Sequence, residues 1–211
     1  MKIKLAYPKI PDALYCPLKS CVAFNKMDGT CMVFYWDPEF GFHDVGTRRD
    51  RFADNTLGWL EFAQAHPGLE GVKEAFQTIR ESLAAHLTQH FPNTSVIIFA
   101  EYHGPNSFAG QHHSKDIKQL TIFDVQVDGM LLPPEQFIQL FGSFPIPKVV
   151  FQGKFTGQLF IDVRNGKYPV NEGIVVKGMV NGQVYMAKIK TTQYLERLKD
   201  KFKDNWRQYW E

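Results

Sequence analysis

Residues 24–36 read FNKMDGTCMVFYW, with Lys26 two positions before Asp28-Gly29 and an apolar run on either side. How the chain behaves at this dipeptide decides the architecture of its first part. Asp-Gly between apolar runs is a strong short-range signal for a β-hairpin, because a type I′ turn needs positive φ at both central residues. On that reading one strand ends near Lys26, a second runs to about Trp36, and Lys26 is an ordinary surface charge. The competing reading makes Lys26 a nucleophile at the mouth of a pocket. The rest of the chain decides between them.

The chain has 211 residues, 44% hydrophobic and 14% aromatic, enough to bury a real core in one large domain or two small ones. No stretch is long and apolar enough to span a bilayer. The first fifteen residues, MKIKLAYPKIPDALY, start basic, but prolines break their short apolar run, so no signal peptide is expected. Cys16, Cys21 and Cys31 are an odd number without a CxxC spacing, which predicts a reducing, cytoplasmic compartment and no disulfide framework or zinc site, with Cys21 and Cys31, on apolar runs, expected as buried thiols. The net charge of +2 is too mild to argue for nucleic-acid binding by itself. Basic residues concentrate at 188–207 and in TRRDR at 47–51.

Helical spacing of Val72, Ala75, Phe76, Ile79, Leu83 and Leu87 predicts a long helix over 69–91, ended by Pro92. Shorter helices are expected at 57–65 and 134–141. A loop with Pro38, Gly41 and Gly46 is expected before the arginine cluster. Strands are expected at 95–102, 119–127, 149–151, 158–163, 173–180 and 183–189, bounded by turn residues such as Asp128-Gly129, Asn165-Gly166 and Asn181-Gly182. Residues 192–210 read as an amphipathic helix with Leu195, Leu198, Phe202, Trp206 and Tyr209 on one face. Hairpin signals without βαβ alternation predict an α+β fold of antiparallel sheets flanked by helices. There is no Walker A sequence and no GxGxxG.

Five short segments then change the reading of Lys26. In order they are KMDG (26–29), FAEYHG (99–104), LTIFDV (120–125), EGIVVKG (172–178) and MAKIKT (186–191). The series resembles the nucleotidyltransferase motifs of the covalent superfamily of ATP-dependent RNA and DNA ligases and mRNA capping enzymes, over roughly residues 22–191. The resemblance implies an adenylation domain with an ATP-grasp-like ligase core. It implies Lys26 as the nucleophile, Glu101 on the ribose, Phe123 stacked on adenine, Glu172 on a metal ion with Asp124 as a secondary polar residue there, and Lys177, Lys188 and Lys190 on phosphates. An arginine of the same family set falls on Arg48, with Arg49 as the alternative. Asp50 stands where many members have a small residue, and Ala100 where Gly is frequent.

The chemistry explains these residue types. A lysine amine attacks the α-phosphate of ATP only when unprotonated, and free lysine has a pKa of about 10.4. Lowering it by about three units takes roughly 4 kcal/mol. Lys188 and Lys190, two apart on a strand, share a face and can supply positive charge. The same charges would stabilise the transition state as negative charge builds on phosphate. A carboxylate such as Glu101 or Glu172 at the end of an apolar strand is costly to bury unless it binds something. Magnesium or manganese favours such oxygen ligands. His112-His113 lacks a third ligand at metal spacing, and His103 is a possible substrate contact beside Glu101.

Only residues 191–211 follow Lys190 here, so the OB domain common in DNA ligases and capping enzymes is not expected. The compact RNA ligases are therefore the better fit, and residues 1–211 are expected to form a single adenylation domain, with 192–211 a C-terminal helix. The function this implies is ATP-dependent RNA ligation of 5′-phosphate and 3′-hydroxyl ends through lysyl-AMP, using Mg²⁺ or Mn²⁺. The partner this implies is nucleic acid, RNA ends or nicks, with DNA as the other candidate. No membrane is expected, and a monomer is the default. A minimal DNA ligase, a capping guanylyltransferase and a non-enzymatic RNA-binding module remain the alternatives.

Overall fold

A computed structural model describes residues 5–209, so the basic start at 1–4 and the last two residues of the expected C-terminal helix lie outside the described residues. In chain order the first elements are β1 (Ser20–Lys26), β2 (Thr30–Asp37), β3 (Gly41–Thr47), β4 (Phe52–Ala53), α1 (Thr56–Ala65) and α2 (Val72–His90). Next come β5 (Val96–His103), β6 (Gln119–Val127), β7 (Met130–Leu131), α3 (Pro134–Phe141) and β8 (Val149–Lys154). The chain continues through α4 (Gly157–Arg164), β9 (Gly173–Val180), β10 (Gln183–Lys190) and α5 (Thr192–Phe202), followed by a 3-10 segment, Lys203–Tyr209. All named strand pairs are antiparallel, as hairpin-rich patterning predicts. No helix among the described residues is long and apolar enough to cross a membrane.

The chain divides into two compact units. The first holds the described residues through Pro8, Gly29–Leu132 and Phe141–Ile146; the second holds Lys9–Asp28, Pro133–Leu140 and Pro147 onward. The first contains a six-stranded sheet in the order β4-β3-β2-β5-β6-β7. Helix α2 covers it with the predicted stripe, burying Val72, Phe76, Leu83 and Leu87. Phe76 stacks on Phe34 of β2 at 4.1 Å and meets Phe42 of β3 edge-on at 5.0 Å, so cutting Phe76 to Ala removes about 3–5 kcal/mol of packing. The second unit contains a four-stranded sheet in the order β10-β9-β1-β8. One of its faces is apolar: Cys21, Ala23, Ile174, Val176, Ala187 and Ile189 pack with Leu159 and Val163 of α4.

The expected β1–β2 hairpin does not form. β1 pairs with β8 and β9, whereas β2 pairs with β3 and β5. Neither Asp28 nor Gly29 has positive φ, so the backbone needed for a I′ turn is absent, and the dipeptide is the passage from one sheet to the other. The expected strand at 158–163 is helix α4. Thr156 caps it by accepting from the Leu159 N–H at 3.2 Å. Leu159 and Val163, four apart, are its buried face. A short apolar run fits either period, and the cap decides. Asn165-Gly166 ends this helix, with Gly166 at φ +72. The expected loop after Pro38 contains β3, and Gly46 lies in it because a Cβ there would meet the Asp50 carbonyl oxygen at 2.1 Å. The C-terminal helix stops at Phe202, where Lys203 takes φ +48, and a 3-10 segment continues.

Candidate active site

In the second unit, cross-strand pairing places Lys26 of β1, Gly173 of β9 and Lys190 of β10 in one row, each the Cα partner of the next. Side chains in such a row project from the same face. Gly173 has no side chain to separate the two lysines, and a Cβ there would meet the Ile189 carbonyl oxygen at 2.0 Å. Glu172, one residue earlier, takes both amines. Lys26 Nζ donates to Oε2 at 2.9 Å and Lys190 Nζ lies 3.0 Å from Oε1. The carboxylate is nearly solvent-free, the Lys190 side chain equally so, and Lys26 keeps 20% of its side chain exposed. Lys26 is thus neither a bulk-solvent charge nor part of a hairpin.

The next row on this face is Phe24, Val175 and Lys188, and the row after it Val22, Lys177 and Met186. Lys177 and Lys188 are both buried. Lys177 Nζ lies over the rings of Phe24 and Phe137 at 5.2 and 5.7 Å. The four lysines singled out from the sequence therefore share one face of one sheet. Lys190 is in register with Lys26, and Lys188 is one row away, its backbone N–H bonded to the Pro11 carbonyl at 2.8 Å.

The electrostatics of the pair are opposed. Burial pushes the Lys190 ammonium below its ordinary pKa, Glu172 pulls it back up, and Lys26 adds to the lowering. For Lys26 the carboxylate at 2.9 Å favours the charged form, so the cation-crowding expected from KIK operates against a counter-charge that the strand pattern did not reveal. A buried carboxylate with two ammonium groups is costly to break from one side, because the remaining charge is left without compensation.

Thr191, the last letter of MAKIKT, and Tyr194, neither of them a site candidate from the sequence, complete this cluster. The Thr191 N–H donates to the Glu172 carbonyl at 2.9 Å, and its hydroxyl donates to the Asn171 carbonyl at 3.0 Å. That hydroxyl also caps α5, accepting from the Tyr194 N–H at 3.1 Å. Tyr194 donates its phenol to Asp28 Oδ2 at 2.6 Å, and Lys190 Nζ lies 4.8 Å from the centre of its ring. No periodicity marks Tyr194 as different from Leu195 or Leu198 beside it.

The first unit holds the remaining candidates. Phe123 is half-buried at a bulge in β6: Phe99 pairs with Asp124 and Ala100 with Ile122, leaving Phe123 as the extra residue. Such a bulge re-aims a side chain. Phe123 lies 5.1 Å from Tyr7 edge-on and 6.5 Å from Phe99. Asp124 is buried and accepts the Tyr7 hydroxyl. Burial, then the charge of Asp124, raises the Tyr7 phenol well above its usual value. Glu101, on β5, is half-buried, with Cys31 and Thr121 as Cα partners. Arg48 is half-buried and Arg49 exposed. The unusual Asp50 shapes their turn, accepting from the Thr47 N–H and hydroxyl, each at 2.9 Å. His103 lies 2.8 Å from the Thr121 hydroxyl, and His112 lies between Thr30 and Ser107 at 2.9 and 3.1 Å.

Among the described residues no three His, Cys, Asp or Glu side chains gather as a metal cage. A hard cation that keeps its waters and binds substrate phosphates needs only one or two carboxylates. The buried Glu172 fits that requirement.

No curated protein matches the sequence. Solved structures of Naegleria gruberi RNA ligase share the fold. The form with PPi matches at TM-score 0.65 with 15% identity, covering 95% of this chain and 60% of that one. A mutant with ATP and Mn matches at 0.64 with 16% identity, covering 95% and 59%, and a mutant with AMP and Mn at 0.62 with 16% identity, covering 95% and 60%. This chain thus spans about three-fifths of the length of those structures. A family model described as RNA ligase matches residues 19–190. The chain belongs to the RNA ligase family.

Proposed function

We propose that this protein is an ATP-dependent RNA ligase working through a covalent lysyl-AMP. The observation that carries the reading is the row Lys26–Gly173–Lys190 with both amines on the carboxylate of Glu172. Lys26 Nζ attacks the α-phosphorus of ATP, a phosphoramidate N–P bond forms, and pyrophosphate leaves with the electrons of the bond to the bridging oxygen. The amine proton passes to solvent. AMP then moves to a 5′-phosphate RNA end, and a 3′-hydroxyl displaces it to form the phosphodiester. Lys190, with Lys188 and Lys177 along the same face, stabilises the charge that builds on phosphate.

The Lys26–Glu172 pair favours an ammonium, so attack requires the carboxylate to be given up. A divalent ion, Mg²⁺ or Mn²⁺, would supply charge against the phosphates, with Glu172 as its protein ligand. Once Glu172 no longer neutralises Lys26, the like charge of Lys190 disfavours the ammonium. In the first unit Glu101 and Arg48 are assigned to the ribose and Phe123 to the adenine face. Asp124, kept as the secondary metal-side candidate, also steadies Tyr7 behind Phe123. The two units are proposed to act as one nucleotidyltransferase domain, with the segment from Thr192 as its C-terminal element. Three thiols without a disulfide suit a reducing compartment.

Incubation with labelled ATP and Mg²⁺ or Mn²⁺, followed by denaturation, tests this. Acid-labile label on the wild type and none on Lys26→Ala is the expected result. Label from GTP alone moves the protein to capping chemistry. No label from either nucleotide, with RNA binding intact, makes it a binding module. Sealing of RNA against DNA ends and nicks then assigns the polynucleotide.

A further inference from the structure

We propose that Tyr7, anchored on Asp124, is a positioning residue that sets the ring of Phe123 for the adenine of ATP. The inference rests on the ligase reading above, in which Phe123 takes the base and Arg48 and Glu101 the ribose. Tyr7 itself lies before residue 19, where the family match begins. It belongs to no helix or strand, yet it is only 3% exposed.

What Tyr7 covers fixes its place. Phe34 of β2 receives the ring of Phe76 from α2 and pairs with Ile98 of β5. Phe99, the next residue of β5, therefore projects from the opposite face of the six-stranded sheet. Tyr7 packs on that face, its ring 4.8 Å from that of Phe99. Glu101, two residues further along β5, shares the face. Phe123 is the second ring that Tyr7 meets. The bulge in β6 leaves Phe123 outside the pairing with β5, so the ladder alone does not set its direction. The Tyr7 ring meets it at 81°, with centroids 5.1 Å apart. An edge-to-face pair has a preferred geometry and contributes beyond the area it buries. Such a contact covers at most one face of Phe123, and a stacked base needs only the other.

The hydroxyl supplies the anchor. It donates to Oδ2 of Asp124, the residue after Phe123 and the Cα partner of Phe99. Burial first, and then the charge of Asp124, keep the phenol protonated, and the charge of Glu101 also reaches it. Ring and hydroxyl thus hold two consecutive residues, the bulged one and the one that resumes the ladder. The neighbouring Ala6 extends the hold. Its N–H donates to the Arg48 carbonyl at 2.9 Å, tying the same segment to the turn that carries the ribose candidate. Two residues outside the matched motifs therefore brace groups assigned to base and ribose. Their loss is expected to weaken nucleotide binding and to spare the attack on phosphorus.

Tyr7→Leu removes both ring and hydroxyl. In single-turnover adenylation across ATP concentrations, it is expected to raise the half-saturating ATP concentration about 10-fold, with the rate at saturation unchanged. Phe123→Leu removes the ring that Tyr7 positions, so the double variant is expected to need no more ATP than Phe123→Leu alone. A general loosening of the fold would add to the Phe123 effect instead. Wild-type half-saturation in Tyr7→Leu, a loss confined to the saturating rate, or single effects that multiply in the double variant would overturn the assignment while leaving the ligase reading intact. Should Tyr7→Leu fail to fold, Tyr7→Phe decides, because it keeps the ring and loses the anchor. A half-saturating concentration raised about 3-fold supports the assignment, and the wild-type value overturns it. A wild type that takes no label removes the ligase reading and this assignment together.

Discussion

Asp28-Gly29 and Asn181-Gly182 look alike as sequence and do opposite things in the fold. Asn181 and Gly182 have φ of +51° and +78° and join β9 to β10, with Val180 paired to Gln183. A Cβ built on Gly182 meets nothing within 4 Å, so that glycine serves backbone freedom alone. Gly29 has no positive φ, yet a Cβ there would lie 2.3 Å from the Tyr102 carbonyl oxygen. That glycine serves close approach. One dipeptide turns the chain back on its own strand; the other releases it to a different sheet. Freed from a hairpin, β1 pairs on both sides with late strands, and Lys26 comes into register with Lys190. The difference teaches that glycine after Asx marks a demand on the backbone without saying which demand.

The comparison breaks most severely at Glu172, where the crossing strand and the hairpin strands meet. Glu172→Ala leaves two ammonium groups facing each other. Because it also removes the proposed ligand of the divalent ion, it is expected to slow lysyl-AMP formation by on the order of 10³-fold and to lower stability by about 3 kcal/mol, read by single-turnover labelling and denaturant unfolding. Gly29→Ala comes next. Its Cβ forces the passage to shift, with a stability loss of about 1–3 kcal/mol and an adenylation loss of about 10²-fold from displacement of Lys26. Gly182→Ala sharpens the contrast: a loss of about 1 kcal/mol from the left-handed backbone and a labelling rate equal to wild type. Equal kinetic effects at the two glycines would refute the distinction drawn between them.

The smallest effect separates stability from chemistry altogether. His86 on α2 lies against Phe141 and Phe144. Burial, then His90, lowers its pKa below the ordinary 6.5. The unfolded chain therefore takes up the proton first as pH falls. The stability from the neutral ring is complete above about pH 6.5 and is lost as pH drops through the lowered folded value. His86→Leu should flatten the pH dependence of unfolding over that window and leave adenylation unchanged.

Much of the architecture was legible. The stripe of α2 survives because its spacing fits only a helix, and β6 and β9 have the bounds that turn chemistry predicts. Helix α4 was misread because QLFIDV is too short for periodicity to choose, and the choice lay with Thr156 outside it. β3 was hidden by Gly41 and Gly46, which read as loop residues. Gly41, at φ +69, turns the chain, and Gly46 admits a neighbouring backbone. At the site, the four lysines and Glu172 were legible as motif residues. What sequence could not provide was register. Which lysine stands level with Lys26, and that Glu172 takes both amines, depend on pairings about 150 residues apart.

Thr191 carries a consequence for how much of the chain supports Glu172. The family match closes at residue 190, on the last lysine of KIK. The very next side chain bonds the Asn171 carbonyl, while its amide bonds the carbonyl of Glu172. A fragment trimmed at the motif border would keep every signature letter and lose the clasp that seats its acidic centre, so the support of Glu172 reaches one residue past the recognisable text, to the N-cap of α5.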